Sequence, residues 1–162
     1  VLVQANYGER KNLRIGGIPI GEMYHEDKTA SLINQSLNGD GSIIIVVATD
    51  APLLSHQLKR VARRATLGLG RVGSIARNGS GDIFIAFSTA NKTISSKTVS
   101  QNLSMLQNDH INPVFQATVE ATEEAIINAL IAGKDMTGHM GRNVKAIEHQ
   151  ALIEILKKHN RL

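Results

Sequence analysis

The densest cluster of chemically useful residues is Arg77-Asn-Gly-Ser-Gly-Asp82, set directly before the apolar run Ile83 to Phe87. Gly79 and Gly81 flank Ser80, so the backbone around that hydroxyl has conformations closed to other residues. On spacing alone the segment reads first as a turn feeding a strand. A phosphate loop is a poor fit, because no Gly-Lys-Ser/Thr is present and a strand follows where a helix is needed. A nucleophile elbow fails as well, since it requires strand, serine, then helix. One further chemistry suits a serine behind glycine at a strand start. If the Gly79–Ser80 bond is cut, Ser80 carries both a hydroxyl and an α-amine, whose unperturbed pKa is about 7.7–8.0. That amine can take the hydroxyl proton, directly or through water, and make a nucleophile without a histidine.

Four other positions invite a chemical reading. Thr118 and Glu120 stand two apart, so in an extended segment their side chains face the same way. The bland alternative is a helix start, with Thr118 as a cap and Glu120 in the first turn. Asn6 ends a strand-like run, where its amide can donate to a developing oxyanion or serve an ordinary turn. Asp82 is placed to brace the loop around Ser80, together with Asn78 and Gly81. His56 and His139 have no partners at metal-ligand spacing and read as solvated or satisfied histidines. No metal or cofactor is expected.

These residues need elements to hold them, and 162 residues suffice for one domain with a core. Hydrophobic residues at 42% and charged residues at 20% exclude wholesale disorder. Aromatic content of 3% argues against a single-stranded nucleic-acid reader, which needs stacking faces. The net charge of +4 is too small to imply a polyanionic partner. Cysteine is absent, excluding disulfides, zinc thiolates and a thiol nucleophile. No apolar run approaches the roughly 18 residues of a membrane span, and no signal-peptide pattern appears.

Three segments read as strands: Val1 to Tyr7, Ile43 to Ala48 and Asp82 to Ser88. The second is continuously apolar and β-branched, as in a strand buried on both faces. Between the first two, Gly8 to Asp40 carries weak signals, with turns at Gly16-Gly17 and Asn38-Gly39-Asp40. A helix is expected from near Pro52, capped by Asp50, with Leu54, Leu58, Val61, Ala62, Ala65 and Leu69 as its stripe. Lys59, Arg60, Arg63 and Arg64 lie mainly off that stripe, as a solvated face or a surface for an acidic partner. Further helices are expected at about Thr122 to Ala132 and Val144 to His159, with a loop at Gly138 to Gly141.

Several long runs resemble peptidase family S58, the D-aminopeptidases (L-aminopeptidase/D-esterases) and β-peptidyl aminopeptidases. They are Gly39-Asp-Gly-Ser-Ile-Ile-Ile-Val-Val-Ala-Thr-Asp-Ala-Pro-Leu-Leu54, His56-Gln-Leu-Lys-Arg60 and Asn78-Gly-Ser-Gly-Asp-Ile-Phe-Ile-Ala-Phe-Ser-Thr-Ala-Asn91. Val1-Leu-Val-Gln-Ala-Asn-Tyr-Gly8 and Ala117-Thr-Val-Glu-Ala-Thr-Glu-Glu-Ala125 are similar too. The resemblance implies an α/β fold, a layered αββα sandwich similar to N-terminal-nucleophile hydrolases. It implies a precursor cut after Gly79, with residues 1–79 ending an α chain and 80–162 forming the β chain. Ser80 would be the nucleophile, releasing N-terminal amino acids from short peptides, amides or esters without metal. Thr118 would hold the amine or relay a proton, although serine is commoner there, and Glu120 would orient the amine. Relatives of this kind carry a substantial region before the equivalent of Val1 and commonly form homo-oligomers. The chain therefore reads as a C-terminal portion that opens inside a strand. Two other readings remain open here: an acyltransferase similar to ornithine acetyltransferases, whose new terminal residue is threonine, and a non-catalytic binding or assembly module. No nucleic-acid or membrane partner is expected.

Overall fold

The computed structural model describes residues 1–24, 41–92, 99–141 and 143–162. A three-stranded sheet forms its centre. β1 (Leu2–Asn6) runs antiparallel to β2 (Ser42–Thr49), which runs parallel to β3 (Ile83–Ser88), in the order β1-β2-β3. The register sets Val3 beside Ile45, Ile45 beside Phe84, and Asn6 beside Ser42. A parallel β2–β3 pair needs a crossover, and helix α2 (Ser55–Arg71) lies between these strands in the sequence.

All three strands fall where the apolar runs place them, but β2 is not buried on both faces. Ile43, Ile45 and Val47 form the core with Val61, Ala65 and Leu69 of α2 and Phe115 and Ile126 of helix α3 (Asn112–Ala132). Both helices cover this one face. The other face carries Ile44 and, in register with it, Ile83, beside Leu2, Ile85 and Phe87; Leu2 is 70% exposed and Phe87 45%. Continuous β-branching therefore reports an apolar strand without saying what covers its second side. A contiguous apolar face of this kind marks a contact surface.

The helix boundaries differ from expectation for identifiable reasons. α2 begins at Ser55, three residues after Pro52, and Asp50 does not cap it. The Pro52 carbonyl accepts from Leu106 N–H at 2.7 Å, so it is unavailable to a helical turn. Gln57 serves the helix start, its Oε1 accepting from Leu54 N–H at 3.1 Å. α3 begins ten residues before the expected Thr122, with Pro113 in its first turn. Its early half is hard to recognise because Thr118 and Thr122 occupy buried positions and interrupt the apolar period. Each donates its hydroxyl to the carbonyl four residues back, at 2.7 Å, which satisfies it inside the core.

The C-terminal helix is also shorter than expected. Asn143–Val144 (β5) pairs with Met136–Thr137 (β4) in a small ribbon, and the helix (α4, His149–Lys158) follows it. Glu148 caps α4, accepting from Gln150 and Ala151 N–H. Gly138 to Gly141 is a loop containing one 3-10 turn. The weak Gly8–Asp40 stretch contains the Gly16-Gly17 turn and a short helix, α1 (Ile20–Met23). The expected turn at Asn38-Gly39-Asp40 lies outside the described residues. α1 and α4 share a second, smaller core of Ile15, Ile20 and Leu152.

α2 and α3 cross at Gly68, where a methyl group would meet the Val119 carbonyl oxygen at 2.5 Å and Thr122 Cβ at 2.7 Å. Alanine favours an open helix by about 1 kcal/mol over glycine. Here the crowding reverses that sign, and Gly68→Ala is expected to lower stability by about 1–3 kcal/mol in urea unfolding.

Candidate active site

Ser80 lies in the turn that delivers the chain into β3. Its amide N–H donates to the Arg77 carbonyl at 2.9 Å, closing that turn. Its hydroxyl donates to Asp82 Oδ1 at 2.6 Å, a distance typical of a charge-assisted O–H bond. The same Oδ1 accepts from Ile43 N–H at 3.0 Å, so the start of β2 fixes Asp82 in place. Gly81 N–H donates to Ser42 Oγ at 3.0 Å on the other side of the serine. Glycine at 81 is not there for a left-handed φ. It allows close approach, since a methyl would stand 3.3 Å from Ser42 Oγ.

A depression of about 340 Å³ opens beside the half-buried Ser80, lined also by Thr66, Leu69, Ile75, Asp82 and Phe84. It therefore lies on the side of the sheet covered by α2. Asn6 is at the end of β1, opposite Ser42, and shares the uncovered face with it. The structure places Asn6 on β1, separated by β2 from the turn that carries Ser80, with its side chain on the opposite side of the sheet from this depression.

The local setting expected for Thr118 and Glu120 requires correction. Their segment is helical, not extended, and neither residue is at a helix start. Two residues of helix turn about 200°, which sends the side chains to different faces. Thr118 is buried and bonded to Val114 O, whereas Glu120 is exposed and accepts from Gln116 Nε2 at 2.8 Å. Neither lines the depression at Ser80.

Some supporting residues were not singled out by sequence. Arg77 pairs with Glu9, tying the Ser80 turn to the segment after β1. The Arg77 hydrogen bond, then that of Lys11, holds the Glu9 carboxyl below its ordinary 4.5. A lowered carboxyl contributes above the ordinary range, and that contribution is lost as pH falls through the lowered value. Stability is thus expected to decline below about pH 5 with a Glu9 component, and Glu9→Gln should flatten that part of a thermal-unfolding profile. Tyr7 is near the same cluster. Burial, and secondarily the charge of Asp82, pushes its phenol well above the ordinary 10.0.

Two members of the basic cluster of α2, Arg60 and Arg64, are engaged within the fold, while Lys59 and Arg63 are exposed. The Arg64 and Arg60 guanidinium groups stand 3.8 and 5.1 Å from the centre of the Phe115 ring. Arg60 also donates to Asn108 Oδ1 at 3.1 Å. His56 and His139 are both exposed. Among the described residues, no group of three or more His, Asp or Glu could hold a metal, and no helix is long and apolar enough to cross a membrane.

Comparisons with known proteins agree on one group. The sequence model of peptidase family S58 matches residues 1–144. The chain is 47% identical over 174 residues to the β-peptidyl aminopeptidase BapA of Sphingosinicella microcystinivorans, covering all of this chain and 43% of that protein. The Sphingosinicella xenopeptidilytica protein of the same name is 42% identical, with 97% and 41% covered. Among solved structures, an L-aminopeptidase D-Ala-esterase/amidase from Ochrobactrum anthropi aligns with a TM-score of 0.86 at 41% identity, over 99% of this chain and 43% of that one. It is described as a prototype of the serine aminopeptidases and a variant of the Ntn hydrolase fold. A β-aminopeptidase from a Burkholderia species aligns with a TM-score of 0.79 at 40% identity, over 96% and 43%. The chain spans about two-fifths of the length of these relatives. With the fold and most of its length matched, the chain belongs to peptidase family S58.

Proposed function

We propose that this chain carries the nucleophile of a self-processing serine aminopeptidase, which releases N-terminal residues from short peptides, amides or esters. The observation that carries the reading is the hydroxyl of Ser80, held at 2.6 Å from a carboxylate at the start of a strand in an S58 family member. Ser80 Oγ attacks the Gly79 carbonyl to give an ester, and water resolves that ester into two chains. The freed Ser80 then attacks a substrate carbonyl, with its own α-amine as base. Backbone N–H groups stabilise the oxyanion, and water releases the product. The reading rests on Ser80 and its amine, and it gives Thr118 and Glu120 the supporting roles that the resemblance implies. The uncovered apolar face of β1, β2 and β3 is the surface on which the second sheet of the αββα sandwich packs. Homo-oligomerisation belongs to the same reading.

The test uses the full-length protein, with intact mass, N-terminal sequencing and turnover of an amino-acid p-nitroanilide. The expected result is a piece ending at Gly79, a piece beginning at Ser80, and release of p-nitroaniline. Turnover by a chain that remains whole at Gly79 overturns the proposal.

A further inference from the structure

Helix α2 carries the cations Lys59, Arg60, Arg63, Arg64 and Arg71 and no acidic residue. At 3.6 residues per turn the first four fall within about 140° of the helix circumference, and Leu67 falls inside the same sector. Lys59 and Arg63, and likewise Arg60 and Arg64, stand four apart, a spacing at which like charges repel along a helix. Arg71 pairs with Glu123. None of the other four meets a carboxylate among the described residues.

The fold holds this charge without cancelling it. The Arg64 guanidinium rests 3.8 Å from the centre of the Phe115 ring and donates to Arg60 O at 3.1 Å. That of Arg60 stands 5.1 Å from the same centre and donates to Asn108 Oδ1 at 3.1 Å. A ring face, a carbonyl and an amide oxygen thus fix both groups and leave their charge uncompensated. Beside them Lys59, Arg63 and Leu67 are exposed, Leu67 by 59%. Local repulsion that the fold does not relieve is expected at functional surfaces.

We propose that the face of α2 from Lys59 to Leu67 docks an acidic segment of a partner protein, with carboxylates on the four cations and an apolar side chain on Leu67. The outside of a helix is convex, whereas small-molecule sites are concave, so the occupant is a macromolecular surface. Leucine among the cations favours protein over nucleic acid, because a phosphate backbone offers it no apolar contact. Enrichment in arginine with depletion of Asp and Glu is the composition of protein interfaces. The inference is independent of the chemistry at Ser80.

The test uses the full-length protein and a short labelled peptide carrying a run of glutamates with one leucine a turn beyond them. The peptide is N-acetylated, so it offers an aminopeptidase no free amine. Fluorescence anisotropy is expected to show saturable binding that weakens as salt rises. Lys59→Glu combined with Arg63→Glu should weaken it by about tenfold or more. Melting temperature and p-nitroanilide turnover should not change, because both side chains are exposed and bond to nothing among the described residues. Leu67→Ser should weaken binding about threefold or more. Lys157→Glu with Lys158→Glu, on α4, should leave it unchanged. Absence of saturable binding overturns the proposal, as does a loss from the α4 pair equal to that from the α2 pair. Unchanged binding by Leu67→Ser overturns it too, by reducing the contact to bulk charge. A DNA duplex of equal charge that binds more tightly than the peptide overturns it in favour of a nucleic acid. A thiol placed by Arg63→Cys that reacts with maleimide only after unfolding also overturns it, because the rest of the enzyme then covers this face.

Discussion

Ser80→Ala is expected to leave the chain whole at Gly79 and to reduce hydrolysis of amino-acid amides by about 10⁴-fold or more. In the mechanism proposed above both effects come from the loss of one oxygen, because the same Oγ would attack Gly79 first and the substrate afterwards. The fold should survive the change. Asp82 retains its bond from Ile43 N–H, and Gly81 retains its bond to Ser42 Oγ. The remaining cost is one partly buried hydrogen bond, about 1 kcal/mol in urea unfolding. Ser80→Thr keeps a hydroxyl at the same place and is expected to retain scission at a reduced rate. Intact mass separates these variants, and an alanine variant that still splits at Gly79 would remove Ser80 from the mechanism.

Gln57→Ala is expected to cost about 2–4 kcal/mol of stability, among the largest effects of any single change outside the site. Gln57 is fully buried, yet every polar atom of its side chain is used. Oε1 accepts from Leu54 N–H at 3.1 Å, and Nε2 donates to Leu106 O at 2.7 Å and Asn108 Oδ1 at 3.1 Å. Truncation leaves a partly buried amide and a partly buried carbonyl unpaired and opens a void. Gln57→Glu should be no better, since it keeps the acceptor for Leu54 but loses the donor for Leu106. Denaturant midpoints with an unchanged slope would check both variants. A loss below about 0.5 kcal/mol for Gln57→Ala would show that water replaces these bonds.

Gln57 also illustrates why some supporting residues escape a reading of pattern. It falls on the buried side of α2 with Val61 and Ala65, but its type places it among the polar residues. Its place on the apolar stripe was the available signal. Thr118 and Thr122 concealed the first half of α3 in the same way, and hence the true orientation of Glu120. The strands were legible because their apolar, β-branched runs are short and bounded by turn residues. Helix starts were less so, because a start depends on which carbonyls are already taken, as at Pro52.

The sequence by itself determined the three strands, the main body of α2 and the family to which the chain belongs. It also singled out Ser80 between two glycines at a strand start. These are local properties, set by side-chain type and near neighbours along the chain. Only the tertiary structure decided that Asp82 accepts from both Ser80 and Ile43, that Ser42 holds Gly81, and that Thr118 and Glu120 face apart. Those outcomes depend on hydrogen bonds between segments tens of residues distant, and on the helical phase of α3. Neither is encoded in the spacing of any single motif.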